Sequence, residues 1–342
     1  MRQAYEMSTQ LNHSKKTKVE NGLTLRVRLE FDIPRTKRAL VFKRSKARQP
    51  LRRCCVVQFL EGFLVSVSEA EDRAVASTFI PAPKPEMAGK TLSAFLENQG
   101  LKGAECQYVL QPSQYRLLYL DVPPVPAGEL KQAARWLIKD LIDYPVEQAA
   151  VEVFPVSVRP GQSAKMYVVT LPVVELQSVA ALLNKSGFQV TYLAIAELAL
   201  LAQISQKNLR SFALLYQDAH VRRLLIARGG EIALVRDLGV PTDLSADILE
   251  KLHLDVLRSF DFYQSQFGGE LPQLLYLAPP LGDVPEKLSQ FRAGLSCAVE
   301  VLKVPESQLS AVHHPASVSL EFECLLTLGQ MTYAQTVREP LS

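Results

Sequence analysis

No Cys-x-x-Cys spacing occurs in the 342 residues, and the five cysteines (Cys54, Cys55, Cys106, Cys297 and Cys324) form an odd, scattered set. This argues against a disulfide framework or cysteine-held zinc, and for a reduced, cytoplasmic protein. Cys54-Cys55 reads as ordinary burial at the start of a strand rather than as a redox pair. No apolar run reaches the roughly 20 residues that a membrane-spanning helix needs. The longest candidate, 192–204, is too short and contains Glu197. The basic residues near the start lead into no apolar stretch, so no signal peptide is expected. Gly-x-Ser-x-Gly, phosphate-loop and dinucleotide fingerprints are missing, which removes the usual signs of a serine hydrolase, a P-loop NTPase or a Rossmann dehydrogenase. His313-His314 lacks acidic or cysteine companions and reads as loop, so no metal is expected.

What is present is an ordinary globular composition, 48% hydrophobic and 21% charged, long enough for about two domains. The net charge of +3 hides an asymmetry: through Arg53 there are 15 Lys+Arg against 4 Asp+Glu. The remaining chain is mildly acidic. Such an arm is read as a solvated extension, as a contact for an anionic membrane surface through residues 35–53, or as a nucleic-acid binder. Few aromatics and an acidic body weigh against the last, so no nucleic acid is expected. Within the arm, Leu23, Leu25, Val27, Leu29, Phe31 and Ile33 alternate with polar residues, a strand pattern.

From Cys55 onward, strand groups alternate with helices. Val56–Leu60 and Phe63–Val67 read as a hairpin, followed by strands at 107–110 and 115–122. Leu130, Ala134, Leu137, Ile138 and Leu141 put one apolar face on a helix spanning 129–143. Trp136 lies off that stripe, so it is either an extra core residue or a half-exposed binding anchor. Strands at 151–158 and 166–171 and helices at 175–184 and 193–201 complete a first half. Three strands follow between 212 and 237, the last two joined by Arg228-Gly229-Gly230, a strong turn signal. A helix over 244–267 buries Ile248, Leu252, Val256, Phe260 and Phe267. The class is α/β, in two successive halves that divide between 201 and 211.

Several stretches resemble one family. The segment Tyr115-Arg116-Leu117-Leu118-Tyr119-Leu120-Asp121-Val122-Pro123-Pro124-Val125-Pro126 leads into a helix ending at Tyr144-Pro145-Val146-Glu147, as in PilM-type pilus-assembly proteins. Residues 187–190 and 196–200 resemble their return into the first domain. Leu257-Arg258-Ser259-Phe260-Asp261-Phe262-Tyr263-Gln264-Ser265-Gln266-Phe267-Gly268, with Leu274-Leu275-Tyr276-Leu277-Ala278-Pro279, looks like the MshI-type members of mannose-sensitive hemagglutinin pilus biogenesis. The resemblance covers residues 40–335 and extends to the cytoplasmic part of the secretion protein GspL. It implies an actin-like (ribonuclease H-like) two-lobed fold. The implied layout is a basic extension at 1–50, a first lobe at 51–205 with an inserted subdomain at 104–175, and a second lobe at 206–342.

Relatives of this type bind ATP between the lobes, which needs small residues and free backbone N–H groups at three turns, with an aspartate in each of two hairpins holding the magnesium. Here the first turn carries Phe59, Leu60, Glu61 and Gly62. The second carries Gln217 and Asp218, and the third Pro279 and Pro280, which bring bulk and no N–H. The expectation is a degenerate site, no cofactor and no catalysis. Asp218 near His220 reads as a polar turn rather than an acid–base pair. The resemblance further implies a groove for the short cytoplasmic peptide of an inner-membrane pilus-assembly protein. Candidate contacts are Leu118, Leu120, Trp136 and Ile138. The expected role is a cytoplasmic scaffold of type IV pilus biogenesis, peripheral to the inner membrane. The alternatives are an active actin-like ATPase of pilus assembly or secretion, and a nucleic-acid-binding protein using the arm.

Overall fold

The first strand, β1 (Arg53–Phe59), is buried at all of Cys54–Val57, and because successive side chains alternate, both of its faces are covered. The computed structural model describes residues 53–59, 62–68, 75–156, 161–205, 209–241, 245–268, 270–278, 285–304, 312–313 and 321–338. The amphipathic pattern at 23–33, the basic stretch at 35–53 apart from Arg53, and the whole 1–50 extension lie outside them.

On one side of β1 run β2 (Gly62–Ser68) and then β3 (Val75–Pro81), both antiparallel. On the other, β4 (Glu105–Leu110) and β8 (Gln189–Ile195) add in parallel. The sheet is closed beside β3 by β14 (Val312–His313), giving the order β14-β3-β2-β1-β4-β8. Gly62 is required by this packing: a Cβ there would stand 2.1 Å from the carbonyl oxygen of Ile80. Helices α1 (Pro85–Asn98) and α3 (Val173–Ser186) pack together against this half. α3 starts after Pro172 and stops at Gly187, whose φ of 109° lets the chain turn back into β8.

The second half is a meander, β9 (Ser211–Gln217), β10 (Arg222–Arg228) and β11 (Glu231–Asp237), extended in parallel by β12 (Leu274–Ala278) and β13 (Ala298–Val301) in the order β11-β10-β9-β12-β13. Between β11 and β12 runs α5 (Ala246–Phe267), capped by Ser245 and ended by Gly268 with φ 58°. Its buried face is Leu249, Leu252, Val256, Phe260, Tyr263 and Phe267. Leu249, rather than the expected Ile248, is fully packed. Between β12 and β13 lies the short α6 (Pro285–Arg292).

A third, three-stranded sheet has β7 (Lys165–Pro172) between β5 (Arg116–Asp121) and β6 (Ala149–Val156). One face is covered by α2 (Leu130–Ile138), with Ala134 and Ile138 packed on Val151, Met166 and Val168. This unit is narrower than the expected 104–175 insert, because Glu105–Leu110 hydrogen-bonds as β4 inside the six-stranded sheet.

Two further corrections concern chain path. The helix expected at 193–201 divides: its first residues finish β8, and α4 (Ala196–Ser205) follows. A short, fully buried apolar run fits strand and helix equally well. The expected 206–342 lobe is also interrupted, because the helix α7 (Glu321–Arg338) returns to the first half. Thr327 Oγ1 accepts from Ser66 Oγ (2.7 Å) and Gln330 Nε2 donates to Gln107 Oε1 (2.9 Å). Gly329 lets α7 lie directly on α4 at Ala199.

Candidate functional site

Two places merit a chemical reading, the junction between the larger sheets and the free edge of the small one. At the junction, the turn between β9 and β10 is built on Asp218. Its Oδ1 accepts from the backbone N–H groups of His220 and Val221, both 2.8 Å away. Its Oδ2 accepts from the backbone N–H of Ser113, also at 2.8 Å, across the junction from the first half. Gln217 Oε1 accepts from Arg222 Nε at 2.7 Å. Both carboxylate oxygens of Asp218 therefore hold backbone, and His220 meets it through its N–H rather than its ring.

Nearby, burial, helped by the Asp218 charge and partly opposed by the hydrogen bond that Gln111 Nε2 donates at 3.5 Å, pushes the Glu323 carboxyl up to about 7. In the first turn, Phe59 packs against Phe79 with ring centroids 5.5 Å apart, and Gly62 is taken up by contact with β3. Glu61, Pro279 and Pro280 lie outside the described residues. Among the described residues there is no group of three or more His, Cys, Asp or Glu able to hold a metal. Cys54 and Cys55 are buried, and burial pushes the Cys55 thiol well above its usual range. His313 forms part of β14, whereas His314 is outside the described residues.

At the small sheet, β5 pairs with β7 on one side, and among the described residues no strand covers its other side. Such an edge presents unpaired backbone donors and acceptors. Leu118 and Leu120 face the α2 side, half-buried against it, while Leu117 and Tyr119 face the main core. α2 sits toward β6: Arg135 Nη1 donates to the carbonyls of Val146 (3.2 Å) and Ala149 (2.7 Å), and Lys131 pairs with Glu152. Helical spacing puts Leu130 and Leu137 on the opposite flank, toward β5. Leu137 is 43% exposed, and Leu141, in the turn beyond α2, is 46% exposed. The apolar side chains on this side of the small sheet are therefore the half-buried Leu118 and Leu120 of β5 and the exposed Leu137 and Leu141.

The other two expected contact residues lie on different faces of α2. Ile138 is fully buried beneath α2, a core residue. Trp136 is 70% exposed on the face of α2 opposite Ala134 and Ile138, so it is not a core residue. Leu137 and Leu141 were visible in the sequence as members of the apolar stripe, but the stripe is wider than the face that α2 buries. Arg116 with Asp143 (2.8 Å) and Lys165 with Asp121 (2.6 Å) close the two ends of β5 with ion pairs.

The sequence matches no protein-family model and no curated protein. The structure is similar to solved structures. A PilM–PilN type IV pilus biogenesis complex aligns with a TM-score of 0.62 at 17% identity, covering 85% of this chain and 100% of that one. A protein of Bacteroides thetaiotaomicron with an actin-like ATPase fold and unknown function aligns with a TM-score of 0.51 at 10% identity, covering 81% and 96%. The fold is actin-like. In this actin-like frame the six-stranded and five-stranded sheets are the cores of the two lobes, and Asp218 sits where they meet. The cytoplasmic domain of EpsL, an inner-membrane component of the Vibrio cholerae type II secretion system, aligns with a TM-score of 0.47 at 18% identity, covering 82% and 95%. Among the described residues no helix is long and apolar enough to cross a membrane.

Proposed function

We propose that this protein is a non-catalytic, cytoplasmic assembly factor of a type IV pilus system of the mannose-sensitive hemagglutinin class. It works by capturing a short extended peptide of an inner-membrane partner on the edge of β5. The observation that carries the reading is the open β5 edge beside the exposed Leu137 and Leu141. An incoming strand would gain main-chain hydrogen bonds from β5, and every second side chain would meet the apolar side chains on the α2 side. The similarity to a complex named for PilM and PilN supports a partner of the PilN kind. The non-catalytic reading is supported by Asp218, whose oxygens already accept three backbone N–H groups, two within the β9–β10 turn and one from Ser113.

The test starts with a pull-down from detergent-solubilised inner membranes, followed by calorimetric titration with the captured partner's cytoplasmic tail. A pilus-assembly protein binding at micromolar strength, weakened at least tenfold by Leu120→Arg or Leu137→Glu, is the expected result. Recovery of soluble metabolic enzymes alone sinks the scaffold reading. Micromolar binding of Mg-ATP in the same calorimeter sinks the non-catalytic one.

A further inference from the structure

Glu197 lies in α4, surrounded in sequence by alanine and leucine, and its side chain has no solvent exposure. An isolated carboxylate in that setting is untenable, so its partners define its purpose. Three side chains reach it from both lobes, and a fourth, Asp237, stands behind one of them. The Tyr115 hydroxyl, from the residue entering β5, donates to Oε2, and the Tyr216 hydroxyl, from β9, donates to Oε1. Arg223, from β10 and only 3% exposed, donates through Nη1 to Oε1 at 3.0 Å. Its Nε donates to Asp237 Oδ1 of β11 at 2.6 Å, and its guanidinium lies 5.1 Å from the centre of the Tyr115 ring.

Glu197 and Tyr115 belong to the first lobe; Tyr216, Arg223 and Asp237 belong to the second. Two more polar links cross the same junction: the Ser113 N–H to Asp218, and the Val235 N–H to the hydroxyl of Tyr167 on β7. We propose that Glu197 and its ring of partners are a permanent lobe lock, which fixes the relative orientation of the two lobes through side chains alone and without any bound nucleotide. Burial and the Glu197 charge push both tyrosine hydroxyls far above their usual range, so they stay donors at every physiological pH. Burial pulls the Arg223 guanidinium down, but Glu197 more than compensates and holds it charged. The donors of the lock therefore stay in place. The lock goes beyond the peptide-capture reading and stands without it.

The test is hydrogen–deuterium exchange, read by mass spectrometry, on the full chain. Tyr115→Phe and Tyr216→Phe each remove one charge-assisted donor with little change of shape. Each should speed exchange about tenfold or more, in α4, β5 and the β9–β10 turn together, because both lobes lose a shared link. The two changes should also be non-additive, since both hydroxyls serve one carboxylate. Mg-ATP should leave the wild-type pattern unchanged. If Tyr115→Phe does not fold, Glu197→Gln carries the same expectation. Faster exchange confined to the mutated strand, additive effects, or slower exchange in both lobes on adding Mg-ATP would each overturn the proposal. None of these readouts involves the peptide, so failure of the lock and failure of peptide capture are separate results.

Discussion

Replacing Gly329 by alanine should destabilise the protein by about 2 kcal/mol, although in an exposed helix interior the same change stabilises by up to about 1 kcal/mol. The difference comes from α4. A Cβ at position 329 would stand 2.0 Å from the Ala199 carbonyl oxygen, 2.8 Å from its carbon and 3.3 Å from the Cβ of Gln203. The first two are backbone atoms that no rotamer change can clear, so α7 must lift off α4. Leu198, Leu201, Leu325 and Leu328 are all nearly inaccessible to solvent on these helices, and lifting loosens their packing. Overpacking a tight core costs roughly 1–3 kcal/mol and occasionally more, which outweighs the gain in helix propensity. Urea unfolding, followed by circular dichroism, measures it: the midpoint should fall while the slope stays constant. A variant as stable as the wild type, or more so, would refute the close approach of α4 and α7.

Gly62→Ala should cost about 1–3 kcal/mol in the same assay, because its Cβ would collide with the Ile80 carbonyl; the loss should appear in nucleotide-free buffer. Ile138→Ala should lower stability by about 2–5 kcal/mol, whereas Trp136→Ala should stay within about 0.5 kcal/mol, which thermal melts of the two variants will separate. Glu323 binds its proton more tightly in the folded chain (about 7) than in the unfolded one, so folding takes up protons. Its contribution is therefore full below the ordinary carboxyl range and lost as pH rises toward 7. Stability should fall by about 2 kcal/mol between pH 5 and 8 from this group, and Glu323→Gln should flatten that part of the profile in pH-dependent urea titrations.

The elements set by local pattern were readable in advance. β1 and β2 follow from two apolar runs around Gly62, the β10–β11 turn from Gly229-Gly230, and α5 from apolar spacing between Ser245 and Gly268. What escaped depends on distant partners. Glu197 stood out in the sequence only as a charge that spoils a membrane span. An acid inside an otherwise apolar helix is a sign that a buried partner exists, but nothing local points to Tyr115, Tyr216 and Arg223. The apolar surface beside β5 was half legible, since Leu118, Leu120 and Leu137 carry the right residue types. Which flank of α2 stays open depends on Arg135 and Lys131 anchoring it to the β6 side. The return of the chain to the first sheet through β14 and α7 has no sequence period to announce it.

That return has a consequence for how the protein is made. The first lobe is still missing a structural helix after residue 205 has left the ribosome, and that helix arrives more than a hundred residues later. Until then the faces of α4, β1 and β2 that α7 covers, including Ala199 and Ser66, are bare to water. The amino-terminal half is therefore a sticky intermediate rather than a finished domain, prone to associate while the rest of the chain is being made. Cutting the chain between the lobes to express either one alone leaves an apolar wound in the first and an orphan helix on the second.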